Sequence, residues 1–324
     1  MTKKNKFGLS RTIEADIKRE IRQNSKFGCV VCRCAIYEYE HIIPEFKEAT
    51  SHDPDHMCLL CGQCHNKVTK GLLSKETIQQ EYGAVRSSSV IPRPFEKIDL
   101  RTVYPTIVVG NCKFVNPKSV IEINGDTILA LNTTQDNNGL PSLTGVFTDD
   151  KGRELIRIVN NEWQGSIEHW DLTTIGNEIV VRYKKGHVAL KIKLEPPSTF
   201  IIQTLDIQIN SCHLYCKNGE FKIGRRTKYE EVYLEVGSLI AQHPTVGISV
   251  KNDFDILKLS GFRVTGGEGI FLEGTGISLA ENSMRMHLRN FVIEHATRQW
   301  TLRRTMFERN DFQGTTNILA PRIK

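Results

Sequence analysis

The 324-residue chain has no apolar run approaching the length of a membrane-spanning helix. Its basic start, MTKKNKFGLS, has no apolar stretch behind it, which argues against a secretory leader. No sequence repeat holds a fixed period, and the C-terminal part contains no phosphate-binding P-loop. Neither charge sign dominates. The net +6 is a weak pointer to an anionic partner, and 39% hydrophobic with 25% charged residues is ordinary globular composition. Cysteine is sparse except in one place: six of the nine fall between Cys29 and Cys64. A cytoplasmic, reducing compartment is the expectation, and there such a cluster points to metal ligands rather than disulfides.

Four regions follow from the pattern. Residues 1–83 hold an amphipathic helix, RTIEADIKREIRQNSK, with Ile13, Ile17 and Ile21 on one stripe, then the cysteines, then a second helix capped by Ser74. Residues 84–101, with Ser87, Ser88, Ser89, Pro92 and Pro94, read as a linker. Residues 102–280 alternate short β-branched segments with NGD, DNNG and KNGE turns, the signature of a mainly antiparallel β region, as a sandwich or solenoid-like stack. In residues 281–324 the spacing of Met284, Leu288 and Ile293 predicts a docking helix. The expected fold class is α+β, with a small N-terminal zinc domain ahead of a larger β domain.

Cys29-Val30-Val31-Cys32 and Cys61-Gly62-Gln63-Cys64 are two C-x2-C pairs. A two-residue gap lets both sulfurs of a pair reach one ion, and two pairs complete a tetrahedral thiolate shell, the usual structural zinc site. Cys34 and Cys58 are surplus and read as buried bystanders. Between the pairs lies Glu40-His41-Ile42-Ile43-Pro44, read as a short strand ended by its proline. His52 reads as a loop residue, Cys212 and Cys216 as buried thiols beside His213, and Trp163 and Trp170 as core packing.

CVVC, EHIIP and DHMCLLCGQCHNKVTKG, in this order, resemble the HNH endonuclease family, the zinc-knuckle branch of the ββα-metal nucleases, over residues 11–80. The resemblance implies that His41 is a general base, Glu40 a ligand of a catalytic Mg²⁺ or Mn²⁺ ion, and His65 a second ligand on a helix. His56 stands where the family has an asparagine that steadies the loop between two strands. Lys67 and Lys70 follow His65 three residues apart and are candidates for DNA phosphate contacts. The implied activity is hydrolysis of DNA phosphodiester bonds, in defence or restriction, with the β region targeting, regulating or assembling the chain as a homodimer or with a partner. The competing reading is a non-catalytic zinc module that binds nucleic acid or protein. Residues 152–172 resemble, more loosely, the β region appended to some bacterial zinc-knuckle HNH proteins.

Overall fold

The computed structural model describes residues 4–133, 139–149, 151–209, 212–226, 231–236, 239–243, 246–253, 258–262, 270–273, 276–279, 286–295 and 298–307. It is a mixed α/β, strand-rich protein with three α-helices among those residues. None of them is long and apolar enough to cross a membrane. The chain divides into two compact units: Met1–Lys97 with Glu162–His187, and Ile98–Asn161 with Val188–Lys324.

The first unit is built around one short strand buried on both faces. Helix α1 (Ala15–Asn24) lays its isoleucine stripe on that strand, and β1 (Glu38–His41) pairs antiparallel with β2 (Met57–Leu60). Successive strand side chains alternate faces. Met57 and Leu59 therefore pack with Ile13, Ile17 and Ile21, whereas Cys58 and Leu60 point the other way, toward Cys29, Val30, Ile42, Ile78, Tyr82 and Val85. The last three come from α3 (Lys75–Ser87), whose start Ser74 caps by accepting the Thr77 N–H at 3.1 Å. Between β2 and α3 lies α2 (Gly62–Thr69). The strand expected at 40–44 ends at His41; one more bond, from Ile42 N–H to the His56 carbonyl, closes the pair.

Two boundaries differ from the sequence reading. The expected linker is not free chain. Helix α3 runs to Ser87, and β3 (Phe95–Lys97) pairs with Glu162–Gly165. The Phe95 N–H donates to the Arg33 carbonyl at 3.1 Å and its carbonyl accepts from Ala35. Residues 162–187, placed by sequence in the β domain, join the N-terminal unit. Trp163 and Leu172 are buried there, and Asp171 takes the Arg22 guanidinium of α1 through two bonds of 2.7 and 2.8 Å. A buried charge pair and two apolar anchors outweigh chain order. Trp170 is half-buried under the Arg19 guanidinium, 4.7 Å above its ring.

The second unit is mainly antiparallel sheet. Ser119–Ile123, Asp126–Thr133, Pro141–Thr148 and Glu154–Val159 pair in succession, with Val246–Asp253 parallel to the first. In a second sheet Thr199–Ile209, Cys212–Lys217, Glu220–Arg226 and Glu231–Val236 follow the same plan. Asn124-Gly125 and Asn218-Gly219 turn two hairpins with positive φ at both residues, the conformation such pairs favour. The helix expected near the C-terminus is instead a strand pair, Met286–His295 against Arg298–Phe307. Phe291, Val292, Ile293, Trp300 and Thr301 are residues that suit a pleated ladder, and the apolar spacing there is not a sustained helical period. Met284 lies outside the described residues.

Candidate functional site

Cys29 and Cys32 lie on a loop before β1; Cys61 and Cys64 flank the first turn of α2. The four sulfurs lie within 4.8 Å of one another, with Cys32 Sγ 3.5 Å from Cys61 Sγ. A tetrahedral zinc–thiolate shell, with bonds near 2.3 Å, sets its sulfurs about 3.8 Å apart, so the donor set fits such an ion. These four cysteines could hold a metal such as zinc. Burial pushes the Cys32 thiol up to about 11 and raises the Cys64 thiol, while at Cys61 burial is outweighed by hydrogen bonds from the neighbouring cysteines, which lower it, so loading has to displace protons at Cys32 and Cys64. Cys61 also caps α2, its sulfur accepting the Cys64 N–H at 3.4 Å.

Arg33 holds the first knuckle, and nothing in the sequence marked it. It is buried at positive φ, and its guanidinium donates to the carbonyls of Ser25, Lys26, Gly28, Cys29 and Pro92. A Cβ on Gly28 would meet the Arg33 carbonyl oxygen at 2.9 Å, which explains the glycine before the first ligand. Cys34 and Cys58 stand outside the cluster. Cys34 is half-buried rather than buried, its thiol donating to Glu96 Oε2 at 3.2 Å, and Cys58 is a buried residue of β2.

Beside the cluster, α2 and β1 bring two sequence-predicted residues together: His65 Nε2 lies 3.1 Å from Glu40 Oε2. His65 follows directly on Cys64, so the knuckle that anchors α2 also aims this imidazole. The other carboxylate oxygen of Glu40 accepts from Lys75 Nζ, which also donates to the His41 carbonyl at 2.6 Å. Lys75 is the first residue of α3, and no local signal at position 75 connects it to the strand.

His41, the next residue on β1, points to the opposite face, as the pleat requires. Its Nε2 lies 3.1 Å from His52 Nδ1, and His52 Nε2 lies 2.8 Å from the Ser10 carbonyl oxygen. His52 is therefore a partner of the site and not only a loop residue. Burial, and then the repulsion His52 exerts in its protonated form, push the His41 imidazole down to about 4. The ring is neutral at neutral pH, the form that can accept a proton. No hydrogen bond joins the His41 ring to Glu40 or His65 among the described residues; they meet at the strand end only through backbone and Lys75.

His56 is not drawn into this group. Its half-exposed ring lies 3.9 Å from Asp53 Oδ2. The loop is steadied by other groups: Asp53 accepts from the Asp55 N–H, Tyr82 donates to the Pro54 carbonyl at 2.7 Å, and Arg86 pairs with Asp55 at 2.8 Å. Lys67 and Lys70 are exposed on and just after α2, with no ion-pair partner among the described residues. In the second unit His213 is buried on Asp206 at 2.8 Å and the Cys212 and Cys216 thiols are buried, as expected of core residues.

Comparison with protein-family models, with curated proteins and with solved structures finds no match.

Proposed function

We propose that the N-terminal unit is an HNH-type, metal-dependent endonuclease domain that hydrolyses DNA phosphodiester bonds. The observation that carries this reading is the 3.1 Å approach of His65 to Glu40, from separate elements, beside a four-cysteine cluster and one residue from His41. A carboxylate and an imidazole at that separation can share one divalent ion, Mg²⁺ or Mn²⁺. Such an ion would supply Lewis acidity at the phosphate. The chain's own groups do the remainder. His41 accepts the proton of the attacking water. Lys75 holds the Glu40 carboxylate in place. Lys67, exposed on the same helix as His65, and Lys70, exposed just past its end, offer phosphate contacts that carry affinity without sequence information. The β unit serves targeting or assembly in this reading.

A non-catalytic zinc module that binds nucleic acid or protein is the second reading. Two observations favour it: Lys75 already neutralises Glu40, and the His56 ring makes no hydrogen bond to the loop backbone among the described residues. Nicking of supercoiled plasmid with Mg²⁺ or Mn²⁺ separates the two. Wild type is expected to nick, and His41→Ala to be slower by about a hundredfold or more, the scale of a lost general base. Equal rates in both proteins would leave the second reading standing.

A further inference from the structure

Resting on the nuclease reading, we propose that His52 is a positioning residue that fixes the tautomer of His41 and leaves Nδ1 as its one proton-accepting atom. The direction of each hydrogen bond is set from the backbone inward. The Ser10 carbonyl oxygen, 2.8 Å from His52 Nε2, can only accept, so Nε2 of His52 carries the hydrogen. A neutral imidazole has one N–H, so His52 Nδ1 presents a lone pair. That lone pair faces His41 Nε2 at 3.1 Å, and His41 Nε2 must therefore carry its own hydrogen and donate. The lone pair of neutral His41 is left on Nδ1, which has no hydrogen-bond partner among the described residues.

The surroundings hold this chain in one direction. The Phe46 ring lies 5.6 Å from the His41 ring and 6.5 Å from the His52 ring, stacked on the latter within 12°. The Arg11 guanidinium covers Phe46 at 4.5 Å. The Asn5 amide donates to the carbonyls of Phe46 and Ala49 at 2.6 and 2.7 Å, tying the segment that carries Ser10 to the loop that carries Phe46. The residues ahead of α1 are thus part of the site, although their sequence carries no motif.

The consequence for the reaction is specific. The attacking water breaks an O–H bond, its proton goes to His41 Nδ1, and the electron pair forms the new oxygen–phosphorus bond as the bond to the departing 3′ oxygen breaks. That oxygen takes a proton from solvent water. His41 then carries two N–H groups, and its Nε2–H still donates to His52. No proton passes along the chain to His52. Its part is to set which nitrogen of His41 is basic and where the ring stands, the role of the third member of an oriented nucleophile–base set.

The test uses the full zinc-loaded chain with ¹⁵N-labelled imidazoles, read by NMR at neutral pH and paired with plasmid nicking. In wild type both rings are expected as Nε2–H tautomers. In His52→Ala the His41 ring should show mixed tautomers, with kcat lowered at least about tenfold and KM unchanged. His52→Asn, whose amide oxygen can accept and whose NH₂ can donate, should restore a single tautomer and most of the rate. Nδ1–H at His41 in wild type, or an unchanged His41 signal and rate in His52→Ala, would overturn the assignment. If wild type fails to nick while His41 shows the single Nε2–H form in wild type and in His52→Asn but not in His52→Ala, the nuclease reading fails and the tautomer assignment stands.

Discussion

Cys61→Ser is expected to abolish zinc retention and cooperative unfolding of the Met1–Lys97, Glu162–His187 unit. Serine retains an oxygen that can cap α2, so the change removes the metal ligand and not the cap. The loss is large because the cluster anchors a short loop and a short helix. Cys29 and Cys32 sit on a loop held by Arg33, and Cys61 and Cys64 hold a helix of eight residues, too short to persist alone. Structural zinc in small modules is worth about 10–16 kcal/mol of apparent binding free energy, more than the total stability of most domains. Zinc analysis with amide exchange over residues 57–69 reads the outcome. The same loss is expected of wild type treated with a strong chelator. Native protection in a zinc-free Cys61→Ser protein would show that the cysteines are not the anchor.

Asp171→Ala is expected to lower the stability of that unit by about 3–5 kcal/mol, the usual cost of leaving a buried charge without its partner. Arg22 is 7% exposed, and Asp171 takes both its Nε and one terminal nitrogen. Removing the carboxylate leaves the guanidinium only the Tyr39 hydroxyl among its close side-chain partners. The double change Arg22→Met with Asp171→Leu should recover most of the loss, since a buried pair replaced by apolar groups of similar size is often neutral. Urea midpoints followed by tryptophan fluorescence measure both, because Trp163 and Trp170 lie in this unit. A single-variant loss under about 1 kcal/mol would mean that this ion pair contributes little to holding residues 162–187.

How much of this was legible in the sequence follows the range of each interaction. The two C-x2-C pairs were readable because ligand spacing within a knuckle is a local constraint, and the cluster forms as expected. The isoleucine stripe of α1 and the Asn-Gly hairpins were equally local. Glu40 and His65 could be paired only through a family resemblance, since 25 residues separate them. Lys75, Arg33 and Ser10 were missed: each acts through a long side chain or a backbone carbonyl that meets its partner only in three dimensions. His52 reads from the sequence as a loop residue, because a histidine in a loop carries no sign of what lies opposite. Asp171 was invisible for the same reason, 149 residues from Arg22. The C-terminal helix failed because apolar residues every four or five positions also fit an edge-to-edge strand pair, and the ladder of Met286–His295 with Arg298–Phe307 supplies partners that a single segment cannot display.

In the nuclease reading Glu40 and His65 hold a divalent ion distinct from the one in the cysteine cluster. Mn²⁺ titration of the zinc-loaded protein, followed by electron paramagnetic resonance, tests it directly. One bound Mn²⁺ per chain is expected in wild type, with binding weakened at least about tenfold in both Glu40→Ala and His65→Ala, in keeping with loss of a coordinating group. Saturable Mn²⁺ binding that neither substitution alters, or no binding at all while the cysteine cluster stays loaded, would contradict it.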